Sequence, residues 1–141
     1  MVTIFIINSI VIALVVIIHY EFLYQFSRLM PRLRMRHRFR IVLGVFAALT
    51  AHAVEVWIFA ASYFLMVRSG KWGTLAGNFE GTFFDCVYFS FTSYTTLGTG
   101  DLEPFGDIRF LTGLESLTGL VLITWTASFL YLEMTRYWNA D

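Results

Sequence analysis

Three long apolar segments constrain the fold of this 141-residue chain more than any other feature. They cover about residues 2–24, 41–67 and 110–134, and none of them contains a Lys, Arg or Pro. A helix rises about 1.5 Å per residue, so about 20 apolar residues cross the roughly 30 Å of hydrocarbon in a bilayer. Each segment is long enough, and the sequence therefore predicts an all-α membrane protein with three transmembrane helices.

The composition excludes several other classes of protein. Only 14% of the residues are charged, against about a quarter in ordinary soluble domains. Ten basic residues balance ten acidic ones, so the chain has no basic footprint for nucleic acid. One cysteine, Cys86, cannot build a disulfide framework. The loops that remain hold no Ser/His/Asp or Cys/His set, so we expect neither an enzyme nor a cofactor.

A cluster of arginines predicts the orientation in the membrane. Six of the ten basic residues lie in thirteen positions after the first segment: Arg28, Arg32, Arg34, Arg36, Arg38 and Arg40. By the positive-inside rule, the linker over residues 25–40 is cytoplasmic, where it can contact anionic lipid headgroups. We therefore expect a multi-pass protein of the cell (inner) membrane. Its N-terminus is outside, the connection over 68–109 is external, and the short tail over 135–141 is cytoplasmic.

The external connection holds a helix start signal. After a Gly-rich stretch over residues 69–81, Thr82 and Asp85 have the spacing of a capping box. They predict a helix over 82–94, which is too short to cross a bilayer and is therefore a re-entrant candidate. Residues 95–101 follow, and non-helical backbone at membrane depth is tolerated only where it is buried in protein or lines water.

Residues 88–102, Tyr-Phe-Ser-Phe-Thr-Ser-Tyr-Thr-Thr-Leu-Gly-Thr-Gly-Asp-Leu, resemble the pore helix and selectivity filter of tetrameric potassium channels. The filter of that family reads Thr-Val-Gly-Tyr-Gly and is followed by Asp. Five positions fit this pattern: Thr96, Leu97, Gly98, Gly100 and Asp101. Over residues 41–134 the chain is similar to small bacterial, voltage-independent potassium channels built from two helices and a pore loop.

The resemblance implies a division of the chain into parts. Residues 41–67 become the outer helix, about 82–94 the pore helix, 95–101 the filter and 109–134 the inner helix. Gly119 stands at the hinge position of the inner helix, although small residues in spanning helices also serve close packing. The first helix, over residues 1–24, is not required by this design, and we expect it to pack outside the second helix.

The resemblance also implies a homotetramer that passes monovalent cations, with potassium as the expected ion. Four filter strands would surround the ion with backbone carbonyls of residues 96–100, and Asp101 would form an acidic ring at the outer mouth. Thr99 stands where the family usually has Tyr. Either the carbonyl ladder persists and potassium preference survives, or the outer filter widens and the channel is weakly selective. A non-conducting scaffold or accessory subunit is the alternative in another class.

Ionisable groups inside a membrane are costly and are functional candidates. Glu115 lies about six residues into the inner helix, at the depth of a filter. We expect it to support the filter through hydroxyl groups of Thr92, Ser93 or Tyr94, as a neutral carboxyl that can donate a hydrogen bond. A direct ligand of the permeating ion is the alternative role.

His52 and Glu55 are spaced i, i+3 and share a face of the second helix. Alone they lack the three or four ligands of a zinc site, so no metal is expected. A hydrogen bond or a proton-sensitive element is the interpretation that remains.

Overall fold

The computed structural model describes residues 2–32 and 36–138, apart from the side chains of His37, Tyr137 and Trp138. The predictions for Arg34, for the His37 side chain and for residues 139–141 of the tail lie outside the described residues. The elements in chain order are α1 (Val2–Leu29), a 3₁₀ turn (Met30–Arg32), α2 (His37–Ser69), β1 (Gly73–Gly77), α3 (Phe83–Tyr94), β2 (Leu102–Gly106) and α4 (Ile108–Trp138).

Three of these helices are long and apolar enough to cross a membrane: Val2–Arg32, Arg38–Ser69 and Ile108–Arg136. This confirms the all-α membrane class. The segment over residues 25–40, expected as a cytoplasmic linker, contains the end of α1 at Leu29 and the start of α2 at His37, and its cytoplasmic location stays a prediction. Leu23, Phe26 and Met30 extend the buried stripe of α1, and the chain leaves α-helical geometry just before Pro31.

The first helix packs against both α2 and α4, rather than against α2 alone. Its buried residues recur at helical spacing along one face: Ile4, Asn8, Val15, His19, Leu23 and Phe26. At one end of this face, the Phe26 ring meets the Phe129 ring of α4 edge-on, with centroids 6.2 Å apart. The first helix therefore flanks both helices of the expected pore module.

The short helix α3 lies between α2 and α4 and shares the core with them. Tyr63 and Phe59 of α2, Tyr94 of α3 and Leu111 of α4 are fully buried there. Because α3 spans only 12 residues, it enters the bundle without crossing it. The chain then has to return to the same side, and it does so through residues 95–101.

A two-stranded antiparallel hairpin joins the two ends of the external connection. Strand β1 pairs with β2, with Gly73 opposite Gly106 and Gly77 opposite Leu102. Two glycines of the Gly-rich stretch, Gly73 and Gly77, form the ends of β1 in this hairpin. A β-carbon on Gly77 would lie 2.1 Å from the Asp101 carbonyl oxygen, so the close approach requires glycine there. The hairpin ties the exit of the filter segment to the start of α4.

Candidate functional site

The start of α3 is fixed by the capping box that the sequence predicts. The Asp85 N–H donates to Thr82 Oγ1 at 3.2 Å, and Asp85 Oδ2 accepts from the N–H groups of Thr82 (2.9 Å) and Glu80 (3.0 Å). Hydrogen bonding from the Thr82 backbone, above all, lowers the pKa of Asp85 from its ordinary value of 3.8. The carboxylate is therefore charged at neutral pH, at the positive end of the helix dipole.

After α3 the backbone dihedral φ changes sign from one residue to the next, which an ordinary loop does not require. Thr96, Gly98 and Gly100 have φ of 59°, 55° and 77°, whereas Leu97 and Thr99 between them do not have positive φ. A row of carbonyls aimed at one axis requires such alternation, because a regular strand points successive carbonyls in opposite directions. Threonine in this conformation costs about 1–2 kcal/mol, so the surrounding structure has to hold it.

Hydrogen bonds from the end of α3 hold this strained turn. The Thr96 N–H donates to the Ser93 carbonyl at 3.0 Å, and the Gly98 N–H donates to the Thr92 carbonyl at 3.1 Å. Thr92 thus contacts the candidate filter through its backbone, while its hydroxyl donates to the Phe89 carbonyl. The segment over residues 95–101 is exposed in the single chain.

Thr99, the departure from the family pattern, has a partner on the pore helix. The Tyr88 hydroxyl donates to Thr99 Oγ1 at 3.1 Å, and Thr99 Oγ1 donates to the Asp101 carboxylate. The hydrogen bond from Thr99 is the main cause that lowers the pKa of Asp101 below its ordinary value of 3.8. The Tyr88 hydroxyl therefore braces the segment over residues 95–101, and Asp101 is an anion at neutral pH.

Glu115 lies at the predicted depth, but its partners differ from the expected ones. Its carboxyl contacts Ser90 Oγ and the Tyr63 hydroxyl, each at 2.5 Å, instead of Thr92, Ser93 or Tyr94. Glu115 and Ser90 are fully buried. The expected partners were wrong because the Thr92 hydroxyl donates to the Phe89 carbonyl and the Tyr94 hydroxyl donates to Glu55, which leaves Ser90 as the hydroxyl of α3 that meets Glu115.

The hydrogen bonds around Glu115 can all be satisfied by a neutral carboxyl. Ser90 has one hydroxyl proton, yet its oxygen lies 2.9 Å from the Val56 carbonyl as well as 2.5 Å from Glu115. If Ser90 donates to Val56, a protonated Glu115 can donate to Ser90 and accept from Tyr63, and every group has a partner. An ionised Glu115 would leave two acceptors competing for the one Ser90 proton.

Tyr94, the last residue of α3, reaches a polar cluster between α1 and α2. Its hydroxyl donates to Glu55 Oε2 and lies 3.0 Å from His52 Nδ1. His52 Nδ1 is 2.9 Å from Glu55 Oε2, and His19 Nδ1 of α1 is 2.7 Å from Glu55 Oε1. The sequence pointed to His52 and Glu55 but missed His19, which lies 36 residues before Glu55 in the chain.

Gly119 packs directly beneath the end of the pore helix. A β-carbon at this position would lie 2.2 Å from the Tyr94 carbonyl oxygen, and α4 runs through Gly119 without interruption. This contact is the close packing that small residues permit in membranes. The hinge role of Gly119 stays a prediction.

Three spanning helices, with a re-entrant helix and an irregular turn between the last two, define a membrane pore protein. Residues 51–136, more than half of the chain, match a family described as ion channels. The chain belongs to this family, which has a potassium-channel-like domain of two transmembrane helices. No curated protein and no solved structure matches the chain.

Proposed function

We propose that this protein is a homotetrameric cation channel that prefers potassium, with residues 96–100 as its filter. The observation that carries the proposal is the alternation of positive φ at Thr96, Gly98 and Gly100. Such a backbone can offer successive carbonyls to a dehydrated cation. The C-terminal end of α3 directly precedes the filter, and its negative dipole end favours a cation over an anion.

Four copies are needed because one strand cannot surround an ion. A groove beside the filter supports association with another subunit: Phe89, Thr96, Gly98 and Thr112 line it in the single chain, and a neighbouring subunit can fill it. The purified protein should have a mass of about 65 kDa, four times the 16.3-kDa chain, after correction for detergent. A monomer that conducts would contradict the assembly.

The orientation that we propose for the protein in the membrane follows from the distribution of its basic residues. Arg28, Arg32, Arg36 and Arg38 are exposed at the turn between α1 and α2. If this turn lies on the cytoplasmic side of the cell membrane, the hairpin and Asp101 lie on the outer side. There an acidic ring concentrates cations.

Potassium preference depends on the outer filter keeping its shape without the aromatic residue of the family. The hydrogen bond from Tyr88 to Thr99 supports this, because it fixes the side chain at the position of the departure. A braced filter retains its outer carbonyl sites, and selectivity depends on the number of such sites.

The decisive experiment is a bi-ionic reversal potential, with potassium on one side and sodium on the other of a planar bilayer. We expect a strongly potassium-weighted potential. Gly98→Ala should abolish the current, because alanine strains the left-handed backbone of the filter. Gly81→Ala is the matched control: Gly81 also has positive φ (83°) and open space around it, but it lies outside the filter.

Other outcomes would point elsewhere. A potential near zero with robust current would indicate a weakly selective cation channel. Silence of a correctly assembled tetramer under all ions would favour the non-conducting scaffold. Equal loss in Gly98→Ala and Gly81→Ala would mean that backbone strain in general, rather than the filter, limits the current.

A further inference from the structure

The polar cluster between α1, α2 and α3 is not needed for a filter or for a spanning helix. It brings together two imidazoles and a carboxylate: His19, His52 and Glu55. Their candidate ligand atoms all lie within 4.8 Å of one another. Two histidines and one glutamate form a ligand set that zinc uses in proteins, with room for a fourth ligand.

The distances suit a shared ion with small adjustments. The carboxylate oxygens of Glu55 lie 2.7 Å from His19 Nδ1 and 2.9 Å from His52 Nδ1. Two ligand atoms that each lie about 2.0–2.2 Å from a metal are separated by roughly 2.7–3.5 Å. The two histidine–carboxylate pairs already lie within this range, and rotation of the imidazole rings about their side-chain bonds would bring both nitrogens to one centre. The Tyr94 hydroxyl, 3.0 Å from His52 Nδ1, is placed to approach the same centre.

A second observation supports ligation by His19. Its other ring nitrogen, Nε2, lies 3.3 Å from Thr126 Oγ1 of α4. Metal-bound histidines commonly donate their second N–H to such a partner, which fixes the tautomer and the orientation of the ring. His19 and Glu55 are fully buried, whereas the His52 side chain is 17% exposed.

We propose that His19, His52 and Glu55 bind a divalent transition-metal ion of the zinc type. The ion would join α1 to α2 and, through the Tyr94 hydroxyl, to the end of α3 that precedes the filter. Binding requires neutral imidazoles and an ionised carboxylate, so protons compete with the metal and affinity falls at acid pH. The bound ion would then hold α1 against the pore module.

The test measures metal binding by the purified full-length protein and does not depend on conduction. The protein is equilibrated with Co²⁺ at pH 7.5, the visible absorption of protein-bound Co²⁺ is recorded, and bound metal is counted after desalting. Displacement by Zn²⁺ is then measured. We expect about one ion per chain, and a loss of at least tenfold in affinity in His19→Gln, His52→Gln and Glu55→Gln.

His37→Gln is the matched control, because His37 is 15 residues before His52 on α2, or about 22 Å along the helix, and cannot reach the site. It should bind like the wild-type protein. Tetramer size is checked for every variant, and His52→Gln is the most tolerant substitution because its side chain is the most exposed of the three. A wild-type protein of normal size that binds no Co²⁺ would overturn the proposal. Binding that persists in both His19→Gln and His52→Gln would overturn it as well.

Discussion

At the scale of single residues, Thr99 has a hydrogen-bonded brace at the position where the resembling family has Tyr. The Tyr88 hydroxyl donates to Thr99 from the pore helix, and Thr99 in turn donates to Asp101. At position 99, where the family has Tyr, the Thr99 hydroxyl accepts one hydrogen bond and donates another. The hydroxyl that contacts Thr99 belongs to Tyr88 of α3.

Tyr88→Phe should therefore lower selectivity without unfolding the protein. One net hydrogen bond is worth about 0.5–1.5 kcal/mol, so we expect the potassium-to-sodium permeability ratio to fall by up to about tenfold. Bi-ionic reversal potentials measure the change, and Tyr131→Phe, an exposed tyrosine of α4, is the control. An unchanged ratio in Tyr88→Phe would show that the brace does not support selectivity.

At the scale of elements, the start of α3 depends on one carboxylate. Asp85 holds two backbone N–H groups, so Asp85→Ala should lower the free energy of unfolding by about 1 kcal/mol at neutral pH. The pKa of Asp85 is lowered by folding, so this contribution is present above pH 3.8 and is lost as the pH falls through the lower, folded value.

Thermal unfolding of the tetramer between pH 7 and pH 3 measures this dependence. The difference between the wild-type protein and Asp85→Ala should be constant near neutrality and shrink below about pH 4. Glu103→Ala removes an exposed acid of β2 and should shift stability little at any pH. A difference that grows toward acid pH would contradict the assigned role of Asp85.

The contact between α3 and α4 makes a second prediction about elements. In Gly119→Ala the new methyl group would meet the Tyr94 carbonyl, so α3 must shift, at a cost of about 1–3 kcal/mol and with loss of current. Gly113→Ala is the control on the same helix, because no atom lies within 4 Å of its β-carbon position. It should be neutral or stabilise α4 by up to about 1 kcal/mol.

Thermal unfolding and conductance of both variants separate packing from helix propensity. If Gly119→Ala keeps its stability but fails to close or open, the hinge role predicted for Gly119 would gain support over packing. Equal losses of stability and current in the two variants would mean that α4 tolerates no added methyl group at either position. The specific contact with Tyr94 would then not explain the effect of Gly119→Ala.

At the scale of the whole molecule, the sequence predicted features that lie within one element, but it did not predict contacts between residues far apart in the chain. The apolar segments and the pair Thr82 and Asp85 act within one element, so the sequence shows them directly. The hairpin pairs Gly77 with Leu102 across the whole pore loop, and its glycine-rich strands carry no alternating pattern. The partners of Glu115 and the approach of His19 to Glu55 likewise depend on how helices cross.

The position of α1 beside α2 and α4 leads to a last prediction, on the deletion of residues 1–24. The remaining chain begins on the side of the Arg cluster, so the positive-inside rule still orients α2 and α4 correctly. Glu55 loses His19, and the bundle loses the packing of Val15 and Leu23, so the tetramer should dissociate at a lower temperature.

The reversal potential of the shortened protein should nevertheless equal that of the full chain. The hydrogen bonds that hold Thr96, Gly98 and Thr99 come from α3 and not from α1, so the filter keeps its own support. Thermal dissociation and bi-ionic potentials on the same preparation provide both readouts. A tetramer that stays assembled but loses potassium preference would show that α1 acts on the filter, through Tyr94, and is more than a brace.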